Sequence, residues 1–456
     1  MAKTPRYQGA GSSTINPYKI ENAYDNLVQN GIDVEYAQGY ERIESENDEK
    51  LRSEAVKVTK NNDVVLVFAG LTENYESEGV DRETLDMPEN QNKLIDEICN
   101  VNENVIVVLS NGSPILMPWK DKVKGILAGC IGGEAGGKAV VDCILGNVNP
   151  NGKLAETYPN KLEDTSCFNN YPGNEITVEY KESVYVGYKY YDKVGKDVLF
   201  PFGFGLSYTE FEYFDLKVNI ENEKVDIRFK IKNVGDVAGK EIAQIYVKKA
   251  DVVFRPDKEL RDFAKVDLNP GEEKDVHIVL DRDCFEYYDI ENDRWQVEAG
   301  EYEILVGKSS RNIVLNDKVV INSDDVCVKK EFCEKYYTGD VQNVTDEEFE
   351  KLIGRKLPDK VLNIEDITAE NTLEQIKNTA IGKVIYDNQI EKMNKLLREQ
   401  NVNKATKVMM DLQKPLKKFY EKKSSKITKE MVDELIAMAK KGEFSENNAF
   451  VKEYLK

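Results

Sequence analysis

Apolar residues change their spacing twice along the 456-residue chain, and the changes predict three kinds of structure. Up to about residue 205, continuous apolar runs alternate with segments of helical period. Val64-Val65-Leu66-Val67-Phe68-Ala69-Gly70 is a β-branched run closed by glycine, as in a strand buried on both faces of a parallel sheet. Pro88 to Cys99 then has helical apolar spacing through Leu94, Ile95 and Ile98, before a second buried run at Val105 to Ser110. Gly125 to Ala128 reads as a third short strand and Gly136 to Leu145 as a small-residue helix. Strand, helix, strand at this spacing predicts βαβ units and an open, mostly parallel sheet. Ligands approach such sheets at the carboxyl ends of the strands, which puts the loops after Gly70, Ser110 and Cys130 on one functional edge.

From about Phe211 the period becomes two. Phe214 to Val218, Val225 to Phe229, Ala243 to Val247, His277 to Leu280 and Gly300 to Val306 alternate apolar and polar positions. Turn signals at Asn233-Val234-Gly235-Asp236 and Asn269-Pro270-Gly271-Glu272 separate them. Roughly seven strands in about 110 residues predict an immunoglobulin-like or fibronectin-III-like sandwich. After about Ser323 the chain turns charged and helical. Thr345 with Glu348 three residues on forms a capping box ahead of Phe349 and Leu352, and Leu373 to Gln400 and Thr428 to Lys441 read as amphipathic helices. The fold class is therefore multidomain: an α/β region over residues 1–205, a β-sandwich over 206–322, and an α-helical extension over 323–456.

Charge narrows the partners. With 63 basic and 83 acidic residues the formal net charge is −20, which repels a phosphate backbone and argues against nucleic acid. The basic stretch Lys414 to Lys426 reads as a solvated helix face with a Ser-Ser linker. No run of eighteen apolar residues predicts a membrane span, and the basic opening Met1 to Arg6 lacks the apolar core of a signal peptide. Seven cysteines without paired spacing point to reduced thiols and a cytoplasmic setting, with Cys130 and Cys143 read as small core residues. A lone histidine, His277, and no Cys-x-x-Cys pair give no expected metal site. His277 alternates with apolar neighbours and reads as an outward strand position, not a base.

Three stretches remain as candidate chemistry. Gly132-Gly133-Glu134-Ala135-Gly136-Gly137-Lys138-Ala139 has the glycine and lysine spacing of a phosphate loop, but Ala139 replaces the magnesium-binding hydroxyl and Glu134 puts negative charge in the cradle. Gly9-Ala10-Gly11-Ser12-Ser13-Thr14 lacks the third glycine of a dinucleotide fingerprint and reads as a flexible loop. No cofactor is expected. The third, Leu71 to Arg82, crowds Glu73, Glu76, Glu78 and Asp81 with one arginine at the end of the first strand. Crowding of like charges raises the pKa of at least one carboxyl, as general acid catalysis near neutral pH requires. Gly79 permits a tight turn that projects Glu78, and Asp81 with Arg82 is a candidate anchoring pair. By pattern alone, a simple exposed acidic loop is the default reading.

Glu76-Ser77-Glu78-Gly79-Val80-Asp81-Arg82, followed by Leu85 to Pro88 and Gln91, resembles the acid/base loop of family 3 glycoside hydrolases of β-glucosidase type. Lys3 to Ser13 is similar to that family's entry into its second domain, Gly146 to Leu154 to its signature turn, and Phe200 to Thr209 to the hinge into its fibronectin-like domain. Lys258-Glu259-Leu260, Phe263 and Pro270 to Glu272 fit that last domain. The resemblance implies a retaining mechanism on β-glucosides or related oligosaccharides, in which one carboxylate attacks and a second protonates the leaving oxygen. It implies Glu78 as acid/base, with Glu76 the second choice and otherwise loop support beside Asp81 and Arg82. Ser12 and Ser13 become a candidate substrate-edge loop. The family's nucleophile is an aspartate followed by tryptophan on an N-terminal (β/α)8 barrel. Here Trp119 follows Pro118 and Trp295 follows Arg294, so we expect neither nucleophile nor barrel in this chain. The implied partners are then a barrel chain or a homodimer mate; the alternative is a non-catalytic carbohydrate-binding or scaffold module.

Overall fold

The structure is a computed structural model; it describes residues 1–456 except 222, 250–252, 329–332, 400, 423 and 456. The chain forms two compact units. One comprises residues 1–141, 172–179 and 358–456, and the other residues 142–171 and 180–357.

In the first unit, helices α1 (Ala23–Gln29) and α2 (Asp48–Thr59) precede strand β1 (Val65–Gly70). Helix α3 (Glu89–Cys99) follows, then β2 (Val105–Ser110) and β3 (Gly125–Ala128). The three strands pair in parallel in the order β1-β2-β3, with Val65 opposite Val105 and Ile106 opposite Gly125. Val65, Val67, Val105, Val107 and Leu109 are buried on one face; the continuous runs predict burial of both, but Leu66, Phe68 and Ile106 on the other face are only half-buried, while Leu94, Ile95 and Ile98 of α3 are buried. Helix α4 (Gly136–Ile144) starts inside the phosphate-loop-like stretch. A Cβ on Gly137 would lie 2.5 Å from the Glu21 carbonyl oxygen, and Glu134 accepts from the Tyr18 amide. That stretch is thus packed against residues 18–22, where a phosphate cradle would have to be open.

The second unit holds the short antiparallel pair β4 (Tyr158–Pro159) and β5 (Val198–Phe200), with helix α5 (Tyr188–Lys193) between them in sequence. The motifs Gly146 to Leu154 and Phe200 to Thr209 lock together. Leu154 N–H donates to Phe204 O and Gly203 N–H to Leu154 O, both at 2.8 Å. The sandwich follows with β6 (Phe211–Glu221), β7 (Lys224–Asn233), β8 (Gly239–Lys249), β9 (Lys258–Leu268) and β10 (Glu273–Leu280). A hairpin, β11 (Glu286–Asp289) and β12 (Arg294–Val297), leads to β13 (Gly300–Ser309) and β14 (Asn312–Ile321). One sheet runs β10-β7-β6 and the other β14-β13-β8-β9, all antiparallel, around a core that includes Ile227, Phe229, Ile245 and Ile304. This is the fibronectin-III-like sandwich. His277 faces outward on β10 and pairs with Asp226 across the strands, so its place in the alternation decides its role.

Helices α6 (Glu334–Thr338) and α7 (Asp346–Ile353) complete the second unit. The capping box forms as read: Thr345 Oγ1 accepts from the Glu348 N–H and Glu348 Oε2 from the Thr345 N–H. From Pro358 the chain returns to the first unit as α8 (Ala380–Arg398), α9 (Val402–Gln413), α10 (Lys418–Glu421), α11 (Lys429–Lys441) and α12 (Ala449–Tyr454). Thr379 caps α8 by accepting from the Gly382 N–H, so the helix starts seven residues after Leu373; Gln400 lies outside the described residues. These helices enclose a core of their own, with Leu373, Ile381, Leu412, Phe419, Leu435 and Phe450 among its members. The basic stretch is not simply a solvated face: Lys414, Lys417 and Lys418 pair with Asp411, Glu370 and Glu421, but Leu416 and Phe419 among them are buried in the tail's core, and Lys423 lies outside the described residues.

All seven cysteines are free thiols. Cys143 is half-buried, but Cys130 is exposed and not a core residue, because it sits at a turn with φ 50° just after β3. Among the described residues no group of three His, Cys, Asp or Glu is placed to hold a metal, and no helix is long and apolar enough to cross a membrane.

Candidate active site

The acidic loop leaves the end of β1 at Leu71 and divides its carboxylates among separate partners. Glu73 pairs with Arg42. Glu76 is the centre of a half-buried network: Arg6 Nη1 donates to its Oε2 at 2.6 Å, Gly112 N–H to the same oxygen at 3.0 Å, and Ser113 Oγ to Oε1 at 2.6 Å. Arg6 itself is 3% exposed, and its other bonds reach the carbonyl oxygens of Leu71 and Glu76. Arg82 anchors the far side of the loop by donating to Ser113 Oγ at 2.7 Å and Pro114 O at 2.9 Å. Asp81 is exposed.

Glu78 is set differently. It is exposed, and the Ser12 N–H donates to its Oε2 while the Ser12 hydroxyl donates to Oε1 at 2.9 Å. Its own N–H donates to Ala10 O at 2.9 Å, so backbone and side chain both hold to the glycine-serine turn. Gly11 makes this approach possible. Its φ is +129°, and a Cβ there would lie 2.4 Å from both Glu78 Cβ and Oε2. Gly79, at φ +79°, provides the tight turn read from the sequence.

The carboxyls do not titrate as crowding predicts. Burial is the largest influence on Glu76 and pushes its pKa up. Hydrogen bonds from Ser113, Gly112 and Arg6, with the Arg6 charge, outweigh it and hold the carboxyl below its ordinary value. The Ser12 amide and then the Ser12 hydroxyl hold Glu78 below its ordinary value, with desolvation a lesser opposing effect. The loop sends Glu73, Glu76 and Glu78 each to its own donors, and those donors hold Glu76 and Glu78 below their ordinary values.

Ser12, read as part of a substrate-edge loop, here clasps Glu78; Ser13 beside it is exposed. Sequence reasoning placed the loop after Ser110 on the same edge, and that loop supplies Gly112 and Ser113. It missed Arg6, 70 positions from Glu76, although Pro5-Arg6 falls inside a motif already singled out. A cleft of about 560 Å³ is lined by Arg6, Gln8, Thr14, Arg42, Asn401 and Asn403 among others, but not by Glu78. Glu78 thus lies outside the cleft.

Residues 1–208 match the glycosyl hydrolase family 3 C-terminal domain, and residues 241–310 the fibronectin type III-like domain. The chain belongs to glycoside hydrolase family 3. Among curated relatives of this family 3 chain, the thermostable β-glucosidase B of Acetivibrio thermocellus is 49% identical over 341 residues, covering 73% of the chain and 45% of the relative. An exo-α-(1→6)-L-arabinopyranosidase of Bifidobacterium breve is 46% identical over 328 residues, covering 71% and 43%. The crystal structure of a family 3 β-glucosidase from Bifidobacterium adolescentis superposes with a TM-score of 0.69 at 42% identity, covering 73% of this chain and 50% of that one. Glucose-bound β-glucosidase 3B of Thermotoga neapolitana gives 0.61 at 31% identity, covering 70% and 48%. The family 3 chain thus spans about half the length of the proteins it resembles, and what it carries is their C-terminal half.

Proposed function

We propose that this chain supplies the acid/base half of a retaining glycosidase acting on β-glucosides or closely related glycosides, with Glu78 as the proton donor. The observation that carries the reading is the contrast between the two candidate carboxylates. Glu76 is committed to Arg6, Gly112 and Ser113 and cannot move a proton without breaking that network. Glu78 stands exposed on a loop fixed on both sides. A retaining mechanism needs a nucleophile carboxylate roughly 5–5.5 Å from the acid, and in this reading a barrel domain brings it. In the first step Glu78 gives its proton to the glycosidic oxygen as the nucleophile attacks the anomeric carbon. In the second it takes a proton from the incoming water. Relatives named as a β-glucosidase and as an arabinopyranosidase each match more than two thirds of the chain, which supports a pyranoside substrate without fixing the sugar. Free thiols support a reducing, cytoplasmic setting.

The second reading, a carbohydrate-binding or scaffold module, has one observation in its favour: Glu78 holds its proton less tightly than an ordinary glutamate, the wrong direction for an acid. Approach of a second carboxylate and loss of water would reverse that direction. Hydrolysis of an aryl β-glucoside, by the chain alone and with a co-expressed barrel domain carrying the Asp-Trp pair, separates the readings. Turnover only with the barrel, lost in Glu78→Gln, is expected. Turnover by the chain alone, or none in either case, would overturn the proposal.

A further inference from the structure

We infer that helix α9 of the C-terminal tail positions Glu78 by holding both chain segments between which that carboxylate is set; the inference builds on Glu78 as the proton donor. The matched domain models end at residue 310, so α9 is an addition to the domains that define the family. Near its start, Asn403 Oδ1 lies 3.3 Å from Thr14 Oγ1, whose one hydrogen is shared between it and the nearer Gly11 carbonyl at 2.7 Å. This is the turn that clasps Glu78 through Ser12. Near its end, Gln413 Nε2 reaches the Gly79 carbonyl at 3.5 Å, and a Cβ on Gly79 would make ordinary contact with Met409. Val80 packs against the tail's own apolar core.

The arrangement matters because of where the loop is free to move. Glu76 is fixed to Arg6 and Ser113, and two residues later comes Glu78, followed by a glycine in a left-handed conformation. Glycine is the residue least able to hold a direction by itself. Packing of the partly buried Val80 against the tail's core supplies the second fixed point, so Glu78 is strung between two anchors. Asn403 and Gln413 lie ten residues apart on one helix, about 15 Å at 1.5 Å per residue. One rigid rod therefore sets the spacing between the Ser12 turn and the Gly79 turn. Proton transfer tolerates displacements of only about 0.5 Å, so this spacing matters to a proton donor. Val80, Asn403 and Gln413 are positioning residues; none touches a reacting atom.

The test uses the full-length chain carrying Val80→Ser, with Val80→Ile as the conservative control. The amides of Glu78 and Val80 are hydrogen bonded to Ala10 O and Ser77 O, so their hydrogen exchange reads the loop directly. Exchange at residues 77–81 should rise by about tenfold or more in Val80→Ser, recover in Val80→Ile, and leave the β1 and β2 amides unchanged. Unchanged exchange in the loop, or an equal rise across β1 and β2, would overturn the inference. With a barrel partner present, Val80→Ser should lose about 10²-fold on aryl β-glucosides with poor leaving groups and little on those with good ones, which need no proton. Equal loss on both would also overturn it. If the wild-type assembly shows no hydrolysis, the functional reading fails, while the exchange arm still decides whether α9 holds the loop.

Discussion

Replacing Arg6 by alanine should cost the acid/base loop its main anchor. The side chain is 1% exposed, and the change deletes three hydrogen bonds: to Leu71 O at 3.2 Å, Glu76 Oε2 at 2.6 Å and Glu76 O at 3.1 Å. Breaking a buried ion pair from one side costs about 3–5 kcal/mol, because the remaining charge is stranded. Glu76 keeps Gly112 and Ser113 as donors and some contact with water, which places Arg6→Ala near the lower end, about 3 kcal/mol. Trp119 is a suitable reporter: it is buried in the first unit, with its indole N–H on Asn92, while Trp295 is exposed in the second. In a Trp295→Phe background, the urea midpoint from Trp119 fluorescence should fall by about 1 M. The pH dependence fixes the cause. Because Glu76 in the folded protein has a pKa below its unfolded value, its contribution is present above the unfolded pKa and lost as pH falls through the folded one. The gap between wild type and Arg6→Ala should therefore hold from pH 7 down to the ordinary carboxyl value of 4.5 and narrow below it. A gap at pH 7 of less than about 1 kcal/mol, the size of a surface pair, or one that does not narrow in acid, would refute the reasoning.

Gly11→Ala puts a methyl against Glu78 at a φ that L-residues rarely adopt. It should destabilise the first unit by about 1–3 kcal/mol and release Glu78 from Ser12, seen by NMR titration as a pKa returning towards its ordinary value. Ser12→Ala removes the hydroxyl but keeps the amide, the stronger influence, so the Glu78 pKa should rise only part-way; any stability difference should be present at pH 7 and vanish in acid, as the depressed pKa requires. Thr345→Ala should cost about 1 kcal/mol, read as faster hydrogen exchange confined to the first turns of α7.

Elements that depend on local pattern were legible in the sequence. The runs at Val65 to Gly70 and Val105 to Ser110 form paired parallel strands, the alternation through His277 sets its direction, and Thr345 with Glu348 caps α7. Strands β9 and β14 were harder. Lys258 to Leu268, on a sheet edge, carries charge on adjacent positions at Lys258-Glu259 and Arg261-Asp262, and Asn312 to Ile321 is interrupted by Asn316, Asp317 and Lys318, so neither presents a clean apolar face. At the site, the motif around Glu78 was readable, but its electrostatics were not. Four nearby carboxylates suggested mutual repulsion, whereas Arg42, Arg6 and Ser12, distant in sequence, take three of them separately. Nothing in the tail's amphipathic spacing says which surface its core will share, so the packing of Val80 there was invisible.

The route of the chain sets an order of events during synthesis. The first unit opens at Met1 and closes only with residues 358–456, after the whole of the second has been made. Gly79 precedes Met409 by 330 positions, so at 5–20 residues per second roughly 15–65 s separate their emergence from the ribosome. Over that interval the β1–β2 side of the loop can form, while Val80, an apolar residue, waits uncovered beside it. The loop is thus translated well before the helices that finish it.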